Sequence, residues 1–275
     1  MNILFLFLVT SSSNSFAQQT DSGLKATFIG GPTVLLEIGK VRILTDPTFD
    51  QPGARFNIRG NHIVEKMSGP ALEHVGEIDI VLLSHDQHPD NLDSAGRRLL
   101  KSVKKVFTTR DAARRLQNNS RGLEPFEQVT LENTGTDKII ITAVPARHGP
   151  YGIEQQTGTV TGFIITVKGL HNFQVYISGD TEYYSDIDEI ARRFQPKYAF
   201  IFAGAAQPSG PINVSMNTND AIEVARIFPK AIIIPIHSEG WSHYTQHNID
   251  YVKAFNALGI GGRLKILKPG ITTEM

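Results

Sequence analysis

The sequence predicts an α+β protein that folds as one domain with its sheets covered on both faces. Strand-like runs separated by glycine turns dominate the beginning of the chain, and strand-like and helical runs alternate after that. Runs such as AIIIPI at 231–236 and YAFIFA at 198–203 are apolar throughout, so neither face of these strands is expected to meet water. Because no linker or repeat divides the chain, we expect a single domain over residues 18–275.

The first strands are expected to form a meander. In LKATFIGGPTVLLEIGKVRILTDPTF, at 24–49, β-rich runs alternate with glycine turns, which predicts a first hairpin near Gly39–Lys40. Residues 50–76 are rich in Gly, Asn and Arg, which indicates a long surface loop with a short helix at 70–74. Further strands are expected at 78–83, 104–109, 138–144, 161–169, 173–180, 198–205, 231–237 and 263–270, and helices at 94–101, 110–117, 186–194, 218–228 and 248–259.

Charge and cysteine content exclude several classes of function. Lys and Arg together number 27, as do Asp and Glu, so no overall basic field exists to hold nucleic acid. The chain has no cysteine, which removes disulfides and thiolate ligands. Any bound metal must therefore be held by His, Asp or Glu.

The N-terminal residues are typical of a secretory signal. An apolar stretch, Ile3–Val9, leads to the small-x-small pattern SFA, which ends at Ala17. We therefore expect residues 1–17 to be removed and the protein to be exported, to the periplasm or the medium; an uncleaved, lipid-associated N-terminus is the alternative. No other segment is long and apolar enough to span a membrane.

Potential metal ligands follow four of the predicted strands. SHDQHPDNLD, at 84–93, ends one strand and holds His85, His88 and Asp90. The other three strands end near His148, Asp180 and His237. A lone histidine after a strand is usually a surface residue, but carboxyl ends of strands are where ligands gather. Four such ends together favour a metal site built from imidazoles and carboxylates, suited to zinc, iron or manganese.

Five motifs in order resemble the metallo-β-lactamase superfamily, and most closely its ascorbate-lactonase-like and phospholipase-D-like hydrolases. They are TFIGGPTVLLEIGKVRILTDP, LLSHDQHPDNLD, VPARHG, SGDT and IPIHSEGW, and they span nearly the whole chain after the signal. The resemblance implies a four-layer αβ/βα sandwich with a metal site between the loop ends of two sheets. It also implies a hydrolase of a small-molecule ester, lactone, amide or phosphodiester.

The resemblance also implies a role for each candidate ligand. His88 and His148, with His85 as third imidazole, would bind a first metal, Asp90 and His237 a second, and Asp180 would bridge them. One or two divalent ions are expected, with zinc as the leading candidate and manganese or iron as alternatives. Asp90 or Asp180 would orient a metal-activated hydroxide and take its proton.

The chain departs from the family pattern at one place. That pattern is His-x-His-x-Asp-His followed by Leu-Asp, whereas here Asn91 replaces the last histidine and His85 lies three residues before His88. His85 would reach the metal if the loop bulges by one residue around Gln87. Because an amide oxygen is a weak ligand, the second site is expected to be weaker or absent.

Other residues are weaker candidates. Asn91, Glu154, Trp241 and His243 could line a substrate pocket, although Trp241 could equally pack in the core and Glu154 could be a solvated loop acid. Asp46 and Asp93 could orient ligand imidazoles from outside the metal site. Two rival functions stay open: a degenerate binding protein on the same fold, and a mononuclear iron oxygenase. The sequence does not define the substrate or the oligomeric state.

Overall fold

A computed structural model describes residues 23–58, 62–117, 119–131 and 134–275. The predicted signal segment, residues 1–17, lies outside the described residues. Within the described ranges, no helix is both long enough and apolar enough to cross a membrane.

The strands alternate with short helices along most of the chain. The strands are β1 (Lys25–Gly30), β2 (Thr33–Ile38), β3 (Val41–Thr45), β4 (Arg55–Asn57), β5 (Ile63–Glu65), β6 (Ile80–Leu82), β7 (Lys105–Thr108), β8 (Ser120–Gly122), β9 (Gln128–Thr130), β10 (Lys138–Pro145), β11 (Thr161–Lys168), β12 (Phe173–Ile177), β13 (Tyr198–Phe202), β14 (Ile232–Ile236) and β15 (Thr272–Glu274). The helices are α1 (Ser94–Leu99), α2 (Arg110–Leu116), α3 (Glu154–Thr157), α4 (Ser185–Arg193), α5 (Thr218–Ile227) and α6 (Asn248–Ala257).

Two large mixed sheets carry the fold. One has the strand order β15-β1-β2-β3-β6-β7-β8, and its antiparallel β1, β2 and β3 are the predicted meander. The hairpin at Gly39–Lys40 is its second and not its first, because β1 and β2 already pair across a turn at Gly31. The other has the order β14-β13-β12-β11-β10-β9, in which β12, β13 and β14 run parallel. A third, two-stranded sheet is the hairpin β4-β5.

Alternating side chains create four layers. In β13, Phe200 and Phe202 join a core shared with strands of the other sheet, whereas Ala199 and Ile201 pack with buried residues of α4, α5 and α6. On the far side, Val81 and Val106 pack with Leu92 and with Leu100 after α1. The order is therefore helix, sheet, sheet, helix, and the predicted αβ/βα sandwich is confirmed.

Two parts of the chain differ from expectation. Arg55–Asn57 and Ile63–Glu65 pair as strands β4 and β5, where a loop was expected. No helix forms at 70–74, because Ala71 N donates to the carbonyl of Ile29. Residues 263–270 make only isolated bridges, and the closing strand is β15 instead. A proline at 269, which has no N–H to donate, is consistent with the missing ladder.

Candidate metal centre

The loops after four strands bring the predicted ligands together at one edge of the sandwich. His85, His88 and Asp90 follow β6, and His148 follows β10. Asp180 follows β12, and His237 comes directly after β14. Two groups of ligand atoms result, and within each group all atoms lie within 4.8 Å of one another.

The first group contains three imidazoles and one carboxylate. Nδ1 of His88 lies 2.8 Å from Nε2 of His85 and 3.0 Å from Nε2 of His148. Oδ2 of Asp180 lies 3.9 Å from the His85 nitrogen and 3.6 Å from the His148 nitrogen. These four residues are the first-metal set that the sequence predicted.

Hydrogen bonds outside this group direct the lone pairs of two imidazoles inward. Nδ1 of His148 donates to the carbonyl of Val214 at 2.5 Å, and Nδ1 of His85 donates to Ser84 Oγ at 2.9 Å. Each Nε2 is then unprotonated in the neutral ring. A proton on His88 Nδ1 can serve only one of its two short contacts, so the other would be a contact between lone pairs. A cation among the three nitrogens resolves this conflict, and the residues fit a divalent metal.

Asp46 supports the first group through Ser84. Its Oδ1 accepts from Ser84 N at 2.6 Å, and its Oδ2 accepts from Ser84 Oγ at 2.5 Å. Oγ of Ser84 in turn accepts from His85, so Asp46 holds the imidazole in one tautomer through one hydroxyl. The predicted outer role of Asp46 is therefore indirect. Burial raises the pKa of Asp46 to about 7, against the lowering effect of these hydrogen bonds and one from Asn91.

The second group shares Asp180 with the first. Nδ1 of His237 lies 3.3 Å from Oδ1 of Asp180, and Nε2 of His237 lies 3.1 Å from Oδ2 of Asp90. Asp180 thus contacts both groups, as expected of a bridging carboxylate. Nε2 of His243 lies 2.9 Å from the same Asp90 oxygen. His243 therefore contacts a ligand of the second group as well as lining the cavity.

Backbone conformation sets the position of two ligands. His237 has φ +57°, in the left-handed region that a side chain with Cβ rarely occupies. Gly179, directly before Asp180, has φ +64°, and a Cβ there would lie 2.6 Å from the carbonyl of Thr161. Strained or glycine-dependent turns of this kind concentrate at functional sites.

Burial disfavours the charged forms of the carboxyl and imidazole groups at this site. It raises the pKa of the Asp180 carboxyl well above its usual range, and the Asp90 and Asp46 carboxylates raise it further. Burial lowers the pKa of His148 to about 3, so this ring is neutral at pH 7. Burial also acts to raise the pKa of Asp90, but His243 and His237 hold it well below its usual range. A bound cation would favour ionised carboxylates beside neutral imidazoles, which agrees with the donor set.

The loop at 84–93 accommodates its extra residue without losing a ligand. The carbonyl of His88 accepts from the backbone N–H groups of Asn91 and Leu92, which closes a tight turn after His88. Gln87 lines the cavity beside Gly158 and is not part of either group. His85 therefore reaches the first group although it lies three residues before His88.

Three of the weaker candidates do not line the cavity. Asn91 is fully buried, and its Nδ2 donates to Asp46 at 3.1 Å, while its Oδ1 has no hydrogen-bond partner in the described part of the chain. Glu154 is exposed and accepts from Gly152 N. Trp241 is buried with Val64 and Tyr244, so it packs in the core. Only His243 of the four lines the cavity.

Asp93 caps the helix that follows it and contacts a buried lysine. Its Oδ1 accepts from Gly96 N and caps α1, and its Oδ2 accepts from Asp50 N at 2.6 Å and from Lys66 Nζ at 3.2 Å. Lys66 itself is 2% exposed. Asp93 therefore fixes the helix that follows the loop at 84–93, and among the described residues its carboxylate makes no hydrogen bond to a candidate ligand imidazole.

The ligand atoms open into a cavity of about 610 Å³, which is the size of a typical small-molecule site. His88, Asp90, His148, Asp180 and His243 all line it. The β4–β5 hairpin and the loops before α3 and α5 supply most of its apolar lining. A small substrate can therefore reach both groups of ligands from one side.

Comparison with known proteins places the chain in a family. The model of the beta-lactamase superfamily domain matches residues 41–238. A UPF0173 metal-dependent hydrolase of Pelotomaculum thermopropionicum is 27% identical over 260 residues, 92% of this chain and 100% of the relative. An N-acyl-phosphatidylethanolamine-hydrolyzing phospholipase D 1 of Caenorhabditis elegans is 25% identical over 84% of this chain and 67% of its own length. The crystal structure of isothiocyanate hydrolase from Delia radicum gut bacteria has a TM-score of 0.75 at 20% identity, over 91% of this chain and 98% of that one.

The chain belongs to the metallo-β-lactamase superfamily, as its ordered motifs predicted. Relatives that align over nine-tenths of it are named metal-dependent hydrolases. The prediction of a metal-dependent hydrolase is therefore confirmed at the level of the enzyme class.

Proposed function

We propose that this enzyme hydrolyses a small-molecule ester, lactone, amide or phosphodiester, and that it uses one or two divalent ions, zinc first among them. The observation that carries the proposal is the convergence of three imidazole nitrogens, 2.8 and 3.0 Å apart, beside the Asp180 carboxylate. His85, His88, His148 and Asp180 would hold the first ion, and Asp90, Asp180 and His237 the second. A divalent ion bound there would supply Lewis acidity: it would lower the pKa of water to about 7 and polarise the carbonyl or phosphoryl oxygen of the substrate, which activates the attached carbon or phosphorus for attack.

Carboxylates of the protein would accept the proton of the attacking water. Asp90 and Asp180 both line the cavity, so either carboxylate can accept the proton of the attacking water. Ser84 and the carbonyl of Val214 keep the ligand rings from turning. Buried apolar walls limit the access of other water molecules to the substrate.

The test is a hydrolysis screen with chromogenic esters, lactones and phosphodiesters on metal-stripped and reloaded protein. Turnover should disappear on chelation and return with zinc or manganese. His148→Ala should abolish it, whereas His74→Ala, an exposed histidine outside the site, should not. Turnover that survives His148→Ala in a folded protein would refute the proposal. Turnover only with iron and dioxygen would favour the oxygenase. A protein that takes up no metal on reloading and shows no turnover would favour a binding protein.

We also propose export of the protein, supported only by the composition of residues 1–17. N-terminal sequencing of protein from the periplasm or the medium should find a chain that begins directly after Ala17. A full-length chain in the cytoplasm would contradict this.

A further inference from the structure

The cavity has an apolar side that can bury the body of a ligand. Side chains from the β4–β5 hairpin and from the loops before α3 and α5 form it: Phe56, Ile58, Val64, Ile153, Ile212 and Val214. Burial of apolar ligand surface against such a wall contributes about 25 cal/mol per Å². A bare metal-coordinating anion would leave this wall unused, so the shape favours a substrate with an apolar body.

One basic side chain lines the same cavity. Among the lining residues that the structure describes, Arg97 of α1 is the only Lys or Arg. Its side chain is 45% exposed, and one Nη donates to the carbonyl of Asp86. The guanidinium group is therefore anchored through one nitrogen, and its remaining N–H donors are available to a carboxylate or a phosphate.

The positive charge of Arg97 is not cancelled by its neighbours. The carboxylate beside Arg97 is that of Asp86, and it is bound mainly by Arg115. Arg115 Nε lies 3.1 Å from each Asp86 oxygen and Arg115 Nη2 lies 2.5 Å from Oδ1, whereas Arg97 Nη1 lies 4.0 Å from Oδ2. One negative charge thus faces two guanidinium groups. The carboxylate of Asp93, which also lines the cavity, is paired with Lys66. The group of Arg97, Arg115 and Asp86 therefore carries one positive charge in excess, and Arg97 is its member that lines the cavity.

We propose that the substrate carries an anionic group, a carboxylate or a phosphate, on an apolar body, and that Arg97 binds this anion while the scissile bond lies at the metal ligands. The substrate class is then an acyl ester or lactone with a remote anion. The position of the scissile bond in this inference rests on the proposed function. The recognition of the anion by Arg97 is independent of it.

A matched pair of esters tests the discrimination. The first is 4-nitrophenyl hexanoate, and the second is the mono-4-nitrophenyl ester of adipic acid, which ends in a carboxylate. The ratio of kcat/KM for the anionic over the neutral ester should fall about tenfold in Arg97→Ala, because a charge-assisted hydrogen bond is lost at a partly exposed site. Arg97→Lys should give an intermediate ratio. Arg98→Ala is the control, since Arg98 is adjacent on α1 but lies near Asp50 and does not line the cavity.

A binding experiment separates this inference from the proposed function. Isothermal titration with octanoate and with octyl phosphate measures anion binding without any hydrolysis. The affinity for at least one of these two ligands should fall about tenfold in Arg97→Ala and stay unchanged in Arg98→Ala. The ligand that the parent protein binds more tightly identifies the anion. Arg97-dependent binding without ester turnover would support the inference while the proposed function fails. Binding that is equally tight in Arg97→Ala and the parent protein would overturn the inference, and so would the absence of binding by the parent protein.

Discussion

Nε2 of His243 lies 2.9 Å from Oδ2 of Asp90. The same carboxylate oxygen lies 3.1 Å from Nε2 of His237. His243 therefore brings an imidazole to the second group of ligands, through the residue next to Asn91, which replaces the last histidine of the family pattern. The contact explains how Asp90 can be held in place although Asn91 turns its amide nitrogen to Asp46.

His243→Ala should weaken the second metal site by about 10- to 100-fold, because a ligand carboxylate loses the partner that orients it. The first site, which His243 does not contact, should keep its affinity. Zinc titration by calorimetry would show the two sites separately. If the second site of His243→Ala kept the affinity that it has in the parent protein, the contact would have no role in metal binding.

Ser84→Ala should weaken the first metal site by about 10- to 100-fold, since His85 loses the hydroxyl that fixes its tautomer. Asp46→Asn should act in the same direction, because Asp46 accepts from Ser84 Oγ. Ser102→Ala is a suitable control, as Ser102 Oγ is exposed and donates only to the carbonyl of Leu99. A normal first site in both Ser84→Ala and Asp46→Asn would contradict this support of His85.

Lys66→Met should lower the free energy of unfolding by about 3–5 kcal/mol, because it leaves the buried Asp93 carboxylate without its cation. Urea denaturation measures this. Lys104→Met removes an exposed lysine paired with Asp79 and should leave stability nearly unchanged. Similar effects of the two variants would show that the Lys66–Asp93 pair is not needed to hold α1.

Gly179→Ala should destabilise the fold by more than about 1 kcal/mol and impair metal binding together. The residue has φ +64°, and its new Cβ would lie 2.6 Å from the carbonyl of Thr161, next to ligand Asp180. Gly262→Ala, where no atom lies within 4 Å of the new Cβ, should be tolerated. Thermal unfolding and zinc titration of both variants give the comparison.

The sequence was sufficient to predict which candidate ligand side chains the fold brings together, because each follows the end of an apolar strand. His148, Asp180 and His237 could be assigned from strand ends and ordered motifs, and the one-residue insertion at Gln87 did not displace His85. The layered sandwich was likewise implied by the resemblance, and the meander by its glycine turns.

Contacts between distant loops could not be predicted in this way. His243 meets Asp90 across 153 residues of chain, and Val214 meets His148 across 66. No local periodicity encodes such pairs. Phe56 and Val64 were assigned to a loop because three-residue strands are too short for a clear alternating pattern.

The most direct test of the account is zinc binding by the purified, chelator-treated protein, with His148→Ala and His74→Ala measured beside it. We expect a tight site that His148→Ala abolishes and His74→Ala leaves intact, together with a weaker second site. Absence of zinc, manganese or iron binding, or a tight site that survives His148→Ala, would contradict the assignment of the metal centre.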